Sequence, residues 1–454
     1  MDLFFQKIRE VAEKFKQLPK KPIRVIGHLD TDGLSSAAIM AKAFEREKYN
    51  FSISFVRQVD KRLLDELSRE DYEIYFFIDL GSSMMKDMEK KLKDKKIFIL
   101  DHHIYEEYKS DMNNLNPSPF VNYEELSAAG VCYLFAKALN PENKDLGFLA
   151  LTGAIGDGQE RKEGFVGINL LILNEAVDNG YLELNEEFYL FGSKNRPIYK
   201  SLEYCFDPYI PGVTGNEEGA IKLLEEIGIE IKNEQGFRKT SDLNEDELKK
   251  IVTSIILKRM GSEKNPEDVL RKVYKLKDSK RQVNHLRELS TLLNACARLG
   301  KISLGISVCL DPTKEDEAIK FLEEYRKKIG ISLDWFYRNK EKFIEGKNYV
   351  IINAENNIDF DLISVIASII AYSNIYDNGK MIFTLANNLA GDTKISARVA
   401  GTKKVNLRDK LIKITKKIGD YESGGHNVAC GAIIPQEKEL EFIETATAVL
   451  DEEE

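Results

Sequence analysis

Histidine is scarce in this sequence, with five among 454 residues, and tryptophan occurs once. Cysteine is also rare. Cys132, Cys205, Cys296, Cys309 and Cys430 stand singly, with no C-x-x-C pair, and read as reduced core thiols of a cytoplasmic protein. No apolar run reaches the roughly 18 residues of a membrane span. The opening stretch MDLFFQKIREVAEKFK has no apolar h-region and reads as an amphipathic helix, so no secretory signal is expected. A basic surplus is missing too: 66 Lys and Arg against 75 Asp and Glu give a net charge of −9. That weighs against a dedicated duplex binder, whose affinity rests on neutralising phosphates. An enzyme with a local basic groove remains compatible with it.

What is present is core-forming material, 43% apolar and 31% charged, in a chain long enough for two or three domains. The first half alternates strand and helix signals. IRVIGH (23–28), FSISFV (51–56), EIYFFIDL (73–80) and KIFILDHH (96–103) read as strands. LSSAAIMAKAFERE, MMKDMEKKLKD, SAAGVCYLFAKAL and LGFLALTGAIGD read as helices. Such alternation predicts an α/β fold with a mostly parallel sheet covered by helices on both faces. From about 190 the pattern becomes rich in loops and charged helices, as in LNEDELKKIVTSIILKRM, which suggests an inserted module. After about 290 the runs ISLGISVCL, NYVIINAEN, KMIFTLAN and KISARVAG are expected as strands of a second α/β domain. The expected divisions are 1–190, 191–290 and 291–454.

The few histidines are placed where chemistry is expected. Gly27-His28-Leu29-Asp30-Thr31-Asp32-Gly33 puts an imidazole and two carboxylates at the end of a strand, just before a helix. Open α/β sheets bind ligands outside the carboxyl ends of their strands. Asp79 ends the apolar run FFID, and Asp101-His102-His103 follows KIFIL directly. Asp157 stands between glycines in TGAIGDG. Each has a plainer explanation alone: a helix cap for Thr31 or Asp32, a strand-end residue for Asp79, a turn residue for Asp157. Together they supply mixed carboxylate and imidazole donors at one sheet edge. That set suits Mn²⁺ or Mg²⁺ better than structural zinc, and there are donors enough for two ions sharing a bridging carboxylate.

The ordered set H-x-D-x-D-G (28–33), Asp79, D-H-H (101–103) and Asp157 resembles motifs I to IV of the DHH phosphoesterase superfamily. Ser423-Gly424-Gly425-His426-Asn427 resembles the glycine-rich element of the DHH-associated C-terminal domain, and KISARVAG (394–401) its phosphate-facing strand. RPIYKSL…DPYIPGVTGNEEGA (196–220) and LSTLLNACARLG (289–300) are similar to archaeal RecJ-type proteins, including the GINS-associated nuclease. The resemblance implies an N-terminal DHH domain, a central insertion and a smaller C-terminal α/β DHH-associated domain. It implies a two-metal exonuclease on single-stranded DNA, and on RNA as a variant, in replication or repair. One ion would be held by His28, Asp30 and Asp79, the other by Asp32, Asp79, His102 and Asp157. In many members the first histidine lies four residues before the first Asp, whereas His28 lies two before Asp30. His103 would meet the scissile phosphate, Asp101 would orient a histidine, and Ser396, Arg398, Gly424, Gly425 and His426 would bind substrate phosphates. The C-terminal domain would clamp the strand. Two other readings stand beside this one: a phosphodiesterase of oligoribonucleotides or cyclic dinucleotides, and a scaffold bound to GINS in a replicative helicase complex. The basic run RKVYKLKDSKRQVNHLRELS (271–290) reads either as the lining of a groove or as a solvated helical face.

Overall fold

The opening amphipathic stretch forms helix α1 (Asp2–Lys16), which buries Phe4, Ile8, Val11, Ala12 and Phe15 at helical spacing. Phe15 lies among the rings of Phe44, Phe76 and Phe98, at centroid distances of 5.9, 5.2 and 5.4 Å. Burying a side chain of this size contributes about 1.5–3 kcal/mol. In this computed structural model the described residues are all except 107, 123–124, 162, 189–195, 206–209, 261–265, 267–268, 279, 373–374, 402, 404, 420, 422 and 453–454, with the side chains of Tyr372 and His426 also outside them.

Five strands follow in the first third: β1 (Ile23–His28), β2 (Phe51–Val56), β3 (Ile74–Ile78), β4 (Lys96–Leu100) and β5 (Asn113–Leu115). They pair in parallel in the order β2-β1-β3-β4-β5. All of β3, Ile-Tyr-Phe-Phe-Ile, is buried, as expected for a central strand covered on both faces. Helices α2 (Thr31–Arg46), α3 (Lys61–Ser68) and α4 (Met85–Lys91) make the crossovers. The chain leaves β1 toward β2 and then returns across β1 to β3. The boundary between β1 and β3 is therefore the topological switch point, where ligands of open α/β sheets bind. Helices α5 (Ala128–Leu139), α6 (Gly147–Gly156) and α7 (Gly167–Asp178) complete the layer, with α5 and α6 packed on α2.

An antiparallel pair, β6 (Leu182–Phe188) with β9 (Leu270–Leu276), brackets the central module. Within it lie α8 (Ile198–Glu203), α9 (Glu217–Glu226), a small hairpin of β7 (Lys232–Asn233) and β8 (Gly236–Phe237), and α10 (Glu245–Arg259). The module has its own apolar cluster, including Ile198, Leu202, Leu223, Leu224, Ile251 and Ile255.

Next come α11 (Leu286–Arg298), α12 (Ile302–Leu310) and α13 (Glu315–Arg338). Here the structure departs from the sequence reading. ISLGISVCL is helix α12, not a strand, and α11 and α12 pack on α2. The chain forms two compact units, Met1–Leu322 and Glu323–Glu454, so residues 291–322 join the first unit. The basic run is not one continuous helical face. It begins as β9 and ends in α11, and several of its cations are spent internally. Lys275 pairs with Glu187 at 2.5 Å, Arg287 pairs with Glu160, and buried Arg281 pairs with fully buried Glu315 at 2.9 Å. Glu315 also accepts from the backbone N–H groups of Gln282 and Val283, at 2.7 and 3.0 Å. Removing either partner of such a buried pair costs about 3–5 kcal/mol, because the other charge is left stranded.

The second unit is built on a six-stranded sheet of β10 (Ile344–Glu345), β11 (Tyr349–Asn353), β12 (Met381–Asn387), β13 (Asp392–Val399), β15 (Ala429–Pro435) and β14 (Ser423–His426), in that order. Helix α14 (Ile363–Tyr372) contacts β12 and β13, while α15 (Leu407–Ile418) and α16 (Glu439–Asp451) supply the other core. Among the described residues no helix is long and apolar enough to cross a membrane.

Candidate metal centre

Motif I turns directly from strand into helix. Asp30 is the N-cap of α2, extended at φ −151°, and its Oδ1 accepts from Gly33 N–H at 2.9 Å. The cap is therefore Asp30, not Thr31 or Asp32 as the plainer explanation had it, and its second oxygen remains for other work: Oδ2 lies 2.9 Å from His28 Nδ1. Gly33 is required by close approach, since a Cβ there would stand 2.2 Å from the carbonyl oxygen of His28. Asp32 is not a cap. It is 1% exposed, and its two oxygens accept from Ala128 and Ala129 N–H at 2.8 and 3.0 Å, at the start of α5. The positive end of that helix favours an anion. Gly153 on α6 makes room for this carboxylate, because a Cβ there would lie 2.2 Å from Asp32 Oδ1 and 2.6 Å from Ala129 Cβ.

Asp79, one residue past β3, takes a left-handed backbone with φ 61°. Such a conformation is uncommon outside glycine, though Asp tolerates it better than most. It is held by Asp79 N–H donating to Leu100 O at 2.8 Å. The side chain is 1% exposed; Oδ2 faces His28 Nδ1 at 3.2 Å and Oδ1 faces His102 Nε2 at 3.5 Å. Oδ1 is buried and has no hydrogen bond within normal distance among the described residues. His102, 1% exposed, also directs Nε2 toward Asp157 Oδ2 at 3.0 Å and Asp32 Oδ2 at 3.9 Å. His103, whose side chain is 47% exposed, points Nδ1 at Asp101 Oδ1, 2.8 Å away. Asp101 is fixed in turn by N–H donors from Ser82, His102 and His103. It therefore orients His103, the histidine that the sequence reading left unspecified.

The electrostatics follow from crowding. Burial pushes Asp32 well above the usual carboxylate range, with Asp79 and Asp157 adding to it. Asp79 is raised for the same reasons, burial and then Asp30. Burial opposes charge on His28, but Asp30 and Asp79 outweigh it and push the imidazole up to about 11. His102 is likewise raised against its burial, by Asp157 and Asp79. For Asp30, burial is overcome by His28, which holds the carboxyl below its ordinary value. The whole cluster favours positive charge at its centre.

Three donor sets have ligand atoms within 4.8 Å of one another: His28, Asp30 and Asp79; Asp32, His102 and Asp157; and Asp79, His102 and His103. A buried carboxylate oxygen without a hydrogen bond, together with hard oxygen and imidazole donors, fits a divalent cation such as Mn²⁺ or Mg²⁺. All the residues expected in the centre are brought together, His28 included. His103 stands within reach as a donor as well as facing solvent.

The residues expected to bind substrate lie in the second unit and look different. Ser396 is 2% exposed, and its Oγ accepts from Arg398 Nη1 at 3.1 Å. Arg398 also donates from Nε to Ser368 Oγ at 3.0 Å and from Nη1 to Ala397 O at 2.9 Å. Gly424 and Gly425 belong to β14. Gly425 has φ 117°, and a Cβ there would meet Ala429 O at 2.5 Å, so the β15 strand explains that glycine. The side chain of His426 lies outside the described residues. The sequence reading missed two buried amides beside His102: Gln159 Nε2 lies 3.3 Å from His102 Nδ1, and Asn169 donates to Gln159. Gln159 sits in a charged stretch and Asn169 in an apolar one, and neither setting signals such a role.

Family models match three segments: the DHH family N-terminal domain over residues 22–154, the DHH-CID domain over 190–273 and the DHHA1 domain over 346–452. The uncharacterized protein MJ0831 of Methanocaldococcus jannaschii is 30% identical over 99% of both chains. The chain belongs to the DHH superfamily. Its fold is shared by an exonuclease RecJ bound to manganese, with TM-score 0.60 and 15% identity over 97% of this chain and 94% of that one. It is shared too by CDC45 from Entamoeba histolytica, with TM-score 0.66 and 13% identity over 99% and 98% of the two chains. At such identities these two likenesses speak for the fold.

Proposed function

We propose that this DHH-superfamily protein is a metal-dependent hydrolase that shortens single-stranded DNA or RNA from an end, using Mn²⁺ or Mg²⁺. The observation that carries the reading is the pair of donor sets, His28/Asp30/Asp79 and Asp32/His102/Asp157, with Asp79 facing both histidines. Two bound cations would supply an activated water and stabilise the leaving oxygen of a phosphodiester. The chain's own residues do the rest. Asp79 faces both donor sets and keeps them in register. Asp101 holds the exposed His103 toward solvent and favours its imidazolium form, in which the second nitrogen can donate to a phosphate oxygen. Arg398, in the second unit, supplies a planar cation suited to a phosphate. The manganese-bound exonuclease of like fold supports both the metal and the substrate class.

A scaffold in a replicative complex with a GINS-like partner is the second reading. The likeness to CDC45 favours it, and the fully furnished centre speaks against scaffolding alone. The test is a time course on end-labelled single-stranded DNA and RNA of several lengths with Mn²⁺, run beside Asp79→Asn. Stepwise shortening of long strands by the native chain only is the expected result, and the labelled end gives the direction. Cleavage restricted to two- to five-nucleotide substrates would move the enzyme to the small-substrate class. No cleavage at all would leave the scaffold.

A further inference from the structure

His102 is enclosed between two unlike surroundings. Its Nε2 faces the carboxylates of Asp157, Asp79 and Asp32 at 3.0, 3.5 and 3.9 Å. Its Nδ1 faces the side-chain amide of Gln159 at 3.3 Å. Gln159 Oε1 accepts in turn from Asn169 Nδ2, on α7, at 2.9 Å. Both amides are sealed from solvent, at 1% and 0% exposure. Asn169 Oδ1 is buried and accepts no hydrogen bond among the described residues.

An imidazole that ligates a cation through Nε2 gives up the lone pair of that nitrogen, so its proton sits on Nδ1. An Nδ1–H enclosed in protein needs an acceptor. Gln159 offers one only when it turns Oε1 toward the ring. That turn sends its N–H donors toward Asn169, where they in turn need an acceptor. Asn169 Oδ1, the buried oxygen without a donor, meets that need when Asn169 turns as well. Rotating both carboxamides exchanges nitrogen for oxygen along the row and changes shape very little. The orientation seen in the structure, with Gln159 Nε2 toward Nδ1, suits the opposite tautomer, whose proton on Nε2 blocks ligation.

We propose that Gln159 and Asn169 are positioning residues. As a pair of reorienting amides they fix His102 as its Nδ1–H tautomer, aim Nε2 at the carboxylates and so set the affinity of the centre for a divalent cation. This rests on the metal reading of the site. Gln159 meets the centre at His102, a donor of the second set. Their effect is therefore expected on the half of the centre made by Asp32, His102 and Asp157.

The test uses the full chain labelled with ¹⁵N-histidine, where five imidazoles keep the spectrum tractable. In wild type loaded with Mg²⁺, His102 (identified by its loss in His102→Gln) should show a proton on Nδ1. Gln159→Met keeps the length and removes the acceptor. It should weaken Mn²⁺ binding, measured by calorimetry, by about 10–100-fold and abolish the Nδ1–H signal. Gln159→Glu restores an acceptor and should stay within about threefold of wild type. Unchanged Mn²⁺ affinity and an unchanged His102 spectrum in Gln159→Met would overturn the relay and leave the metal centre standing. A wild-type chain that binds no Mn²⁺ would overturn the metal reading and the relay together. Should Gln159→Met not fold, Gln159→Glu decides: binding like wild type with Nδ1–H retained supports the relay, and a loss of tenfold or more overturns it.

Discussion

The cluster at the end of β1 and β3 and the arginine on β13, both proposed to meet a phosphate substrate, are built on opposite terms. At the first, carboxylates crowd together in burial, Asp32 and Asp79 are raised by that crowding, and Asp79 bears a left-handed backbone. At the second, Arg398 already has Ser368, Ser396 and Ala397 as partners. The first region has needs that a cation would meet. The second is settled, and a ligand there must exchange one set of hydrogen bonds for another. Strain stored at one place and absent from another is a mark of where stability has been given up for chemistry.

The sharpest way to break this comparison is Asp79→Asn. Asparagine tolerates the left-handed backbone, so the change removes charge without adding strain. Hydrolysis should fall by at least about 10³-fold, as when one member of a cooperating set is lost. In EDTA the variant should nevertheless melt higher than wild type. A lower melting temperature would mean that crowding costs the fold nothing. The complementary experiment adds Mn²⁺. A ligand that binds only the folded chain stabilises it by about 2.7 kcal/mol at one hundred times its Kd. Wild type should show that gain in thermal melts, and Asp79→Asn should show little of it. Equal shifts in both would place the ion elsewhere.

Much of the first region was legible in the sequence because its donors sit at strand ends, where apolar runs stop abruptly. His28, Asp79 and the Asp101-His102-His103 run announce themselves that way. What was not legible is what depends on approach in space. ISLGISVCL alternates apolar and small residues with the period of a strand, yet it lies against α2 as a helix burying Gly305, Val308 and Cys309. Tertiary packing overrode the local period. The basic run was only partly legible for a similar reason, since Glu187, Glu160 and Glu315, distant in sequence, pair with Lys275, Arg287 and Arg281. TGAIGDG was read as the end of a helix, but nothing in it showed that Gly153 is there to admit the Asp32 carboxylate. Gly153→Ala tests that last point. It should cost about 1–3 kcal/mol in urea unfolding, the usual range for overpacking, and weaken Mn²⁺ binding by displacing Asp32. Loss of stability with unchanged Mn²⁺ affinity would separate packing from the centre.

The smallest expected effect belongs to the settled region. Lysine at 398 keeps the charge but cannot reach Ser368 Oγ, Ser396 Oγ and Ala397 O at once, because a compact ammonium lacks the planar fork of a guanidinium. Arg398→Lys should therefore raise the KM for single-stranded DNA by about tenfold, or about 1.4 kcal/mol. Its kcat and Mn²⁺ affinity should stay at wild-type values, because uniform binding energy is what is lost. Ser368→Ala removes only the acceptor of Nε and should change KM by no more than about threefold. A fall in kcat at constant KM in Arg398→Lys would mean that the guanidinium acts on the reacting phosphate itself. The contrast between a strained chemical site and a settled binding site would then give way to one continuous machinery.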